Sequence, residues 1–186
     1  MFWLVRQLSI RFWTLFYYAC SPFWCVSIGR GCRFQGWINI PQKGGRIVIG
    51  SRVHFAYGVS LTVIPGATLV IENDVYVGRG VVISAHKLVT LCEHSMLAEY
   101  VCIHDNNHQI SDSSQPIASR PFVSEACVVG KNVWLGAGVK LVKGASVGDC
   151  SVVGAGAVVT KALPANGIFV GIPAREVERS ALTELD

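Results

Sequence analysis

No acidic residue precedes Glu72, no two of the seven cysteines form a CxxC pair, and only 15% of the 186 residues are charged. The missing acids leave Arg6, Arg11, Arg30, Arg33, Lys43, Arg46 and Arg52 unopposed at the front of a chain whose net charge is +4, a pattern that suits an anionic lipid surface or an anionic glycan. Nucleic acid is not the expected partner, because neither a recognised binding motif nor a basic-aromatic stacking platform accompanies the charge. The cysteines (Cys20, Cys25, Cys32, Cys92, Cys102, Cys127, Cys150) are odd in number and scattered. That argues against a disulfide framework and for reduced, mostly buried thiols in a cytosolic setting. Scarce charge beside 51% hydrophobic residues argues against disorder outside the last few residues, and for one domain with an extensive core plus an N-terminal appendage.

A bilayer-length uncharged run is missing too. In MFWLVRQLSIRFWTLFYYACSPFWCV, Gln7, Arg11 and Thr14 recur at helical spacing with aromatic and aliphatic residues over most of the rest, and Pro22 stops the pattern. The apolar stretch after Arg11 is too short to span a bilayer. An amphipathic helix over 1–25 is expected, packed on its own domain or an oligomer partner, or making a peripheral membrane contact. A secretory signal is the other reading, weakened by the lack of a small-x-small cleavage site.

What the sequence does have is a period of six. Val123, Val129, Leu135, Leu141, Val147, Val153 and Val159 are spaced by six, and four residues after each comes a second small or aliphatic one: Cys127, Val133, Val139, Ala145, Ser151, Ala157, Leu163. Each hexad reads as a short strand and a tight turn, three hexads making one triangular coil with its aliphatic column inside. Stacked coils pair their backbone groups with the coils above and below. Looser hexads begin upstream at Ile28, Ile49, Phe55, Ile71, Val77, Leu91 and Leu97. Phase shifts near Pro65 and Lys87 imply small corner insertions, and one large insertion separates Ile103 from Val123. The expected organisation is a repeat domain over 26–175 with an inserted loop at 104–122, and a short tail over 176–186.

The stretch GKNVWLGAGVKLVKGASVGDCSVVGAGAVVTKALPANGIFVGIPAR, Gly130 to Arg175, together with SMLAEYVCIHDNNH, Ser95 to His108, resembles the hexapeptide-repeat acyltransferases, among them the galactoside, maltose, xenobiotic and polysaccharide O-acetyltransferases. The resemblance covers most of the chain from about Ile49. It implies an all-β fold, a left-handed parallel β-helix, whose hand comes from the resemblance alone, since the usual crossover rule points the other way. It also implies a homotrimer with active sites between neighbouring prisms, and acetyl-CoA as co-substrate. By the same resemblance, His108 is the catalytic histidine, Ala137 and Ala155 line the pantetheine arm, Thr160 and Lys161 lie beside the adenosine end, and Arg175 reaches the nucleotide phosphate. Two positions depart from the pattern: Glu178 stands where some relatives carry a basic contact, and Gly80 stands near where small-acceptor enzymes place an asparagine.

Acetyl transfer from an activated thioester to an alcohol needs little more than a base, and a neutral histidine suits that work. His104 follows the hexad, so the coil fixes its direction, whereas His108 comes where the hexad fails and is free to project. The acceptor that fixes its tautomer is expected to be Asp105 or a backbone carbonyl. Read without the resemblance, the motif CIHDNNHQI is better explained by a polar turn closed by Asp and Asn, and the resemblance reverses that preference. A zinc site made by His86, His104 and His108, as in γ-class carbonic anhydrases, gives the VVTK and GIPAR elements no purpose, so no metal is expected. Trp134 reads as a corner cover, and Lys140 and Lys143 as solvated charges. The reading is an acetyl-CoA-dependent O-acetyltransferase acting on a sugar or glycan hydroxyl in polysaccharide or lipopolysaccharide synthesis. It is cytoplasmic because acetyl-CoA is, with a peripheral place on the inner membrane through the N-terminal helix. The alternatives are an acetyltransferase for a small acceptor or antibiotic, and a non-catalytic β-helix.

Overall fold

The computed structural model describes residues 2–20, 26–41, 44–111 and 115–178. Pro22, the boundary expected at Cys25 and the tail beyond Glu178 lie outside the described residues. The chain winds into a three-sided parallel β-helix. One face stacks Val26–Ile28, Arg46–Ile49, Thr68–Ile71, Leu88–Leu91, Cys127–Val129, Ser146–Val147 and Ala162–Leu163. The second stacks Arg33–Phe34, His54–Phe55, Tyr76–Val77, Met96–Leu97, Trp134–Leu135, Val152–Val153 and Ile168–Val170, closed by the antiparallel return strand Arg175–Val177. The third stacks Ser60–Val63, Val82–Ala85, Cys102–His104, Lys140–Leu141 and Val158–Val159.

The register explains why an aliphatic every six residues suffices. Inward residues of successive coils fall directly on one another: Ile49, Ile71, Leu91, Val129 and Val147 on the first face, and Phe55, Val77, Leu97, Leu135, Val153 and Phe169 on the second. On the third, Leu61, Ile83, Ile103, Leu141 and Val159 do the same. All are buried, each contributing about 1.5–3 kcal/mol relative to exposure. Because the backbone bonds run between coils, the residues between columns are left to face solvent.

The hexads hold with two differences. Val123 is 45% exposed and lies outside the prism, because the chain re-enters the first face only at Cys127. Leu163, which the hexad places in line with Cys127 and Ala145, stacks instead on Val147, because the corner at Thr160–Lys161 is two residues shorter than the Val142–Ala145 corner of the coil before it. The insertions near Pro65 and Lys87 and the large one after Ile103 all fall at the corner between the third and first faces.

The N-terminal helix, Phe2–Cys20, closes the open end of the prism. Tyr17 is buried with its ring 4.6 Å from Phe34, which stacks on Phe55 at 5.1 Å. Ile38 N–H donates to the Tyr17 hydroxyl, Cys32 N–H to that of Tyr18, and Phe34 N–H to Thr14 Oγ1. These side chains satisfy edge groups of the first coil that have no coil beneath them. Leu8, Arg11, Phe12 and Leu15 face outward and are exposed. No helix among the described residues is long and apolar enough to cross a membrane.

Candidate active site

The large excursion leaves the third face at Asp105 and forms a hairpin, Asn106–His108 pairing antiparallel with Phe122–Ser124. Glu125 N–H to the Asp105 carbonyl (2.8 Å) and Gln109 N–H to the Pro121 carbonyl (3.0 Å) close its two ends. Arg120 ties the outer loop together, its guanidinium donating to the carbonyls of Gln115, Gln109 and Ile110. The described residues of the segment thus form a structured projection from one corner.

His108 is the last residue of the first hairpin strand, and its Nδ1 lies 3.1 Å from the carbonyl oxygen of Arg120. A carbonyl only accepts, so Nδ1 carries the proton and Nε2 presents its lone pair. The ring rests on Phe122 at 4.1 Å between centroids, and Phe122 meets His86 edge-on at 4.4 Å. His86 Nδ1 is buried without a hydrogen-bond partner. His104 is half-buried, and burial, reinforced by His86, holds its imidazole below the ordinary histidine range against the opposing pull of Asp105. Among the described residues no three His, Cys, Asp or Glu side chains gather as a metal-ligand set.

Asp105 does not orient His108, and here the expectation is corrected. Its carboxylate is fully buried and accepts the backbone N–H groups of His86 (2.7 Å), Lys87 (2.8 Å) and Leu88 (2.8 Å), plus Asn106 Nδ2. Those donors belong to the corner of the preceding coil, where the small insertion at Lys87 leaves N–H groups that no strand satisfies. The backbone-carbonyl alternative is the one realised.

Ala137 and Ala155 lie exposed on one column, at the corner between the second and third faces, with Gly156 N–H donating to the Ala137 carbonyl at 2.8 Å. Their glycine neighbours Gly138 and Gly156 adopt φ of +71°, left-handed backbone that side chains disfavour. The result is a bare strip running along the prism. Thr160 and Lys161 are exposed at the far edge of the third face in the last coil, and Arg175 is exposed at the start of the return strand. The hairpin that carries His108 leaves from that far edge, across the third face from the strip.

Residues 126–161 match the family described as bacterial transferase hexapeptide (six repeats). The chain is 30% identical over 145 residues to the "Putative colanic acid biosynthesis acetyltransferase WcaF" of Escherichia coli K12, covering 76% of this chain and 70% of that protein. This chain belongs to the hexapeptide-repeat acetyltransferases. It is similar also to the "Putative lipopolysaccharide biosynthesis O-acetyl transferase WbbJ" of the same organism, at 29% identity over 157 residues, 81% of this chain and 80% of the relative. Among solved structures, a point mutant of AntD, an N-acyltransferase from Bacillus cereus, in complex with dTDP and coenzyme A, superposes with a TM-score of 0.73 over 90% of this chain and 91% of its own; at 15% identity that likeness speaks for the fold alone.

As a hexapeptide-repeat acetyltransferase the chain is an acyltransferase enzyme, and its departure at Gly80 has a structural reason. A Cβ on Gly80 would sit 2.7 Å from the Tyr100 ring, and φ there is +66°, so the space an asparagine would fill is taken by Tyr100. Sequence reasoning missed three residues at the site: Arg120, whose carbonyl fixes His108, Phe122, which packs on it, and Tyr100. Arg120 and Phe122 lie where the hexad ruling lapses, and a carbonyl partner leaves no trace in residue identity. Tyr100 was findable, as a tyrosine where coils on either side carry glycine.

Proposed function

We propose that this acetyltransferase is a homotrimer that moves the acetyl group of acetyl-CoA to a sugar hydroxyl, in the synthesis of a cell-surface polysaccharide or lipopolysaccharide, with His108 as base. The observation that carries the reading is the tautomer: with Nδ1–H given to the Arg120 carbonyl, Nε2 is the basic nitrogen, on a projection braced by Phe122 and the Arg120 guanidinium. The acceptor oxygen attacks the thioester carbonyl as Nε2 takes its proton. The tetrahedral intermediate then expels the coenzyme A sulfur, and the imidazolium returns the proton to it, so that charge and protons balance. Ala137, Ala155, Thr160, Lys161 and Arg175 are assigned to acetyl-CoA, the small residues admitting the pantetheine arm and the two cations facing phosphate or nucleotide.

A homotrimer would set the imidazole at one edge of the third face of one copy beside the small-residue strip at the other edge of the next, which supports this reading. The naming of relatives for lipopolysaccharide and colanic acid biosynthesis supports the acceptor class. A cytoplasmic enzyme working on such an acceptor gains from lying against the membrane, and the outward Leu8, Phe12 and Leu15 with Arg11 suit an anionic lipid surface. Acetyl transfer by the purified trimer to glycan acceptors tests the base: His108→Ala should stay trimeric and fall about 10²–10⁴-fold, and parent-rate transfer by that variant overturns the assignment. Co-sedimentation with anionic vesicles, with and without Phe12→Ser, tests the lipid contact.

A further inference from the structure

The column that carries Ala155 and Ala137 continues toward the helix-capped end as Glu99, Arg79 and Tyr57, tied coil to coil by Gly138 N–H to Glu99 O (2.8 Å), Tyr100 N–H to Arg79 O (2.8 Å) and Gly80 N–H to Tyr57 O (3.2 Å). Here the bare strip gives way to large side chains. The Arg79 guanidinium lies 5.6 Å from the Tyr57 ring centroid and 5.1 Å from that of Tyr100. It donates to both hydroxyls, Nη1 to Tyr57 Oη at 2.9 Å and Nη2 to Tyr100 Oη. Tyr57 is 52% and Tyr100 55% exposed, and Arg79 is exposed between them. Among the described residues no carboxylate pairs with Arg79, although Glu99 is its neighbour on the column.

Tyr100 is held there against its backbone preference. Gly58, Gly80, Gly138 and Gly156 occupy the equivalent corner position in the flanking coils with φ between +66° and +75°, and Tyr100 adopts φ of +59° among them. Arg52, Asp74, His94, Asn132, Cys150 and Asn166 share this left-handed backbone at other turns; what sets Tyr100 apart is a large side chain where Gly58, Gly80, Gly138 and Gly156 carry none.

We propose that Tyr57, Arg79 and Tyr100 form the acceptor subsite of the acetyl-transfer reaction, and that the acceptor they fit is a glycan bearing a negative charge beside a sugar ring. The inference rests on the transferase reading above. Arg79 lies two coils beyond Ala137, about 10 Å along the axis, so an acyl donor lying on the small-residue strip ends facing this clamp. The exposed tyrosine rings offer flat surfaces to the C–H faces of a sugar. The guanidinium, its rotamer already fixed by two hydroxyls, keeps donors for a carboxylate or phosphate with little further ordering to lose.

The negative group has two chemical sources, a carboxylate within the glycan or the phosphates of an activated sugar. Calorimetric titration of the full-length assembled protein without acetyl-CoA, using tetragalacturonate, UDP-galactose and neutral maltotetraose as probes, separates them. One of the two anionic probes should bind at least tenfold more tightly than maltotetraose, tetragalacturonate indicating a carboxylate and UDP-galactose a phosphate. Arg79→Gln should abolish that preference, Arg79→Lys should restore part of it, and coenzyme A affinity should be unchanged in both. Tyr100→Gly should lose binding while melting no lower than the parent, which a merely structural tyrosine would not do. Equal binding of neutral and anionic probes, binding of none, or an anionic preference that survives Arg79→Gln overturns the proposal. An Arg79-dependent preference in a protein that transfers no acetyl group would instead sink the transferase reading and leave the subsite standing.

Discussion

One corner of the prism is built in two ways. In the C-terminal coils it carries Ala137, Gly138, Ala155 and Gly156, which leave the backbone bare; in the N-terminal coils Tyr57 and Arg79 take the alanine position and Tyr100 the glycine position, and the three project and touch one another. The inward columns beneath both halves are apolar throughout, aliphatic except for Phe34, Phe55 and Phe169 on the second face. The interior decides only whether the coils stack, so side chains at the corners are free to differ, and on the proposals above that difference divides a surface for a thin extended donor from a surface for a ring-bearing acceptor.

The largest effect removes both halves together. Val153 is fully buried between Leu135 and Phe169, so Val153→Asp loses about 1.5–3 kcal/mol of burial and adds an unpaired buried charge. Denaturant titration followed by circular dichroism should show a loss of several kcal/mol or no cooperative transition. Asp105→Ala should come next, at roughly 3 kcal/mol, because the carboxylate's three backbone donors lose a charged acceptor. A variant that kept parent stability would return Asp105 to a purely catalytic role.

A third prediction separates the halves. Ala137→Trp fills the bare strip and should raise the KM for acetyl-CoA at least tenfold without changing glycan affinity, while Arg79→Gln should do the reverse. A fourth concerns pH. His104 is held neutral by burial and by His86, so the folded chain resists a proton that the unfolded chain accepts below about pH 6.5. Stability is full above that value and declines as pH falls toward the lowered folded one, a decline that His104→Gln should flatten. The smallest effect is chemical: Cys127, whose thiol burial pushes up to about 11, should resist alkylation at pH 8, while exposed Cys150 reacts.

The sixes made the prism legible because each hexad repeats the same burial demand. They failed at Val123 and Leu163, where a corner insertion and a corner deletion change the phase without changing residue type. The hairpin base was legible as a place, since Gln109 breaks the hexad, but not as a set of contacts. Nothing in HDNNH distinguishes an aspartate that faces an imidazole from one that caps the preceding coil, which depends on the extra residues at Lys87. The bare strip of Ala137 and Ala155 could be read as a run of small residues, and its assignment to the acyl donor rests on the resemblance. The tyrosine-arginine clamp could not, because Tyr57, Arg79 and Tyr100 are neighbours only through coils about twenty residues apart.

The most direct test mixes two inactive variants, His108→Ala and Ala155→Trp, by co-expression. If the imidazole of one subunit serves the donor strip of the next, mixed trimers contain sites with one intact partner of each kind, and about a quarter of the parent transfer rate should return. Mixed trimers that form yet remain as inactive as either variant alone would mean that no site is shared between chains, and would contradict the account.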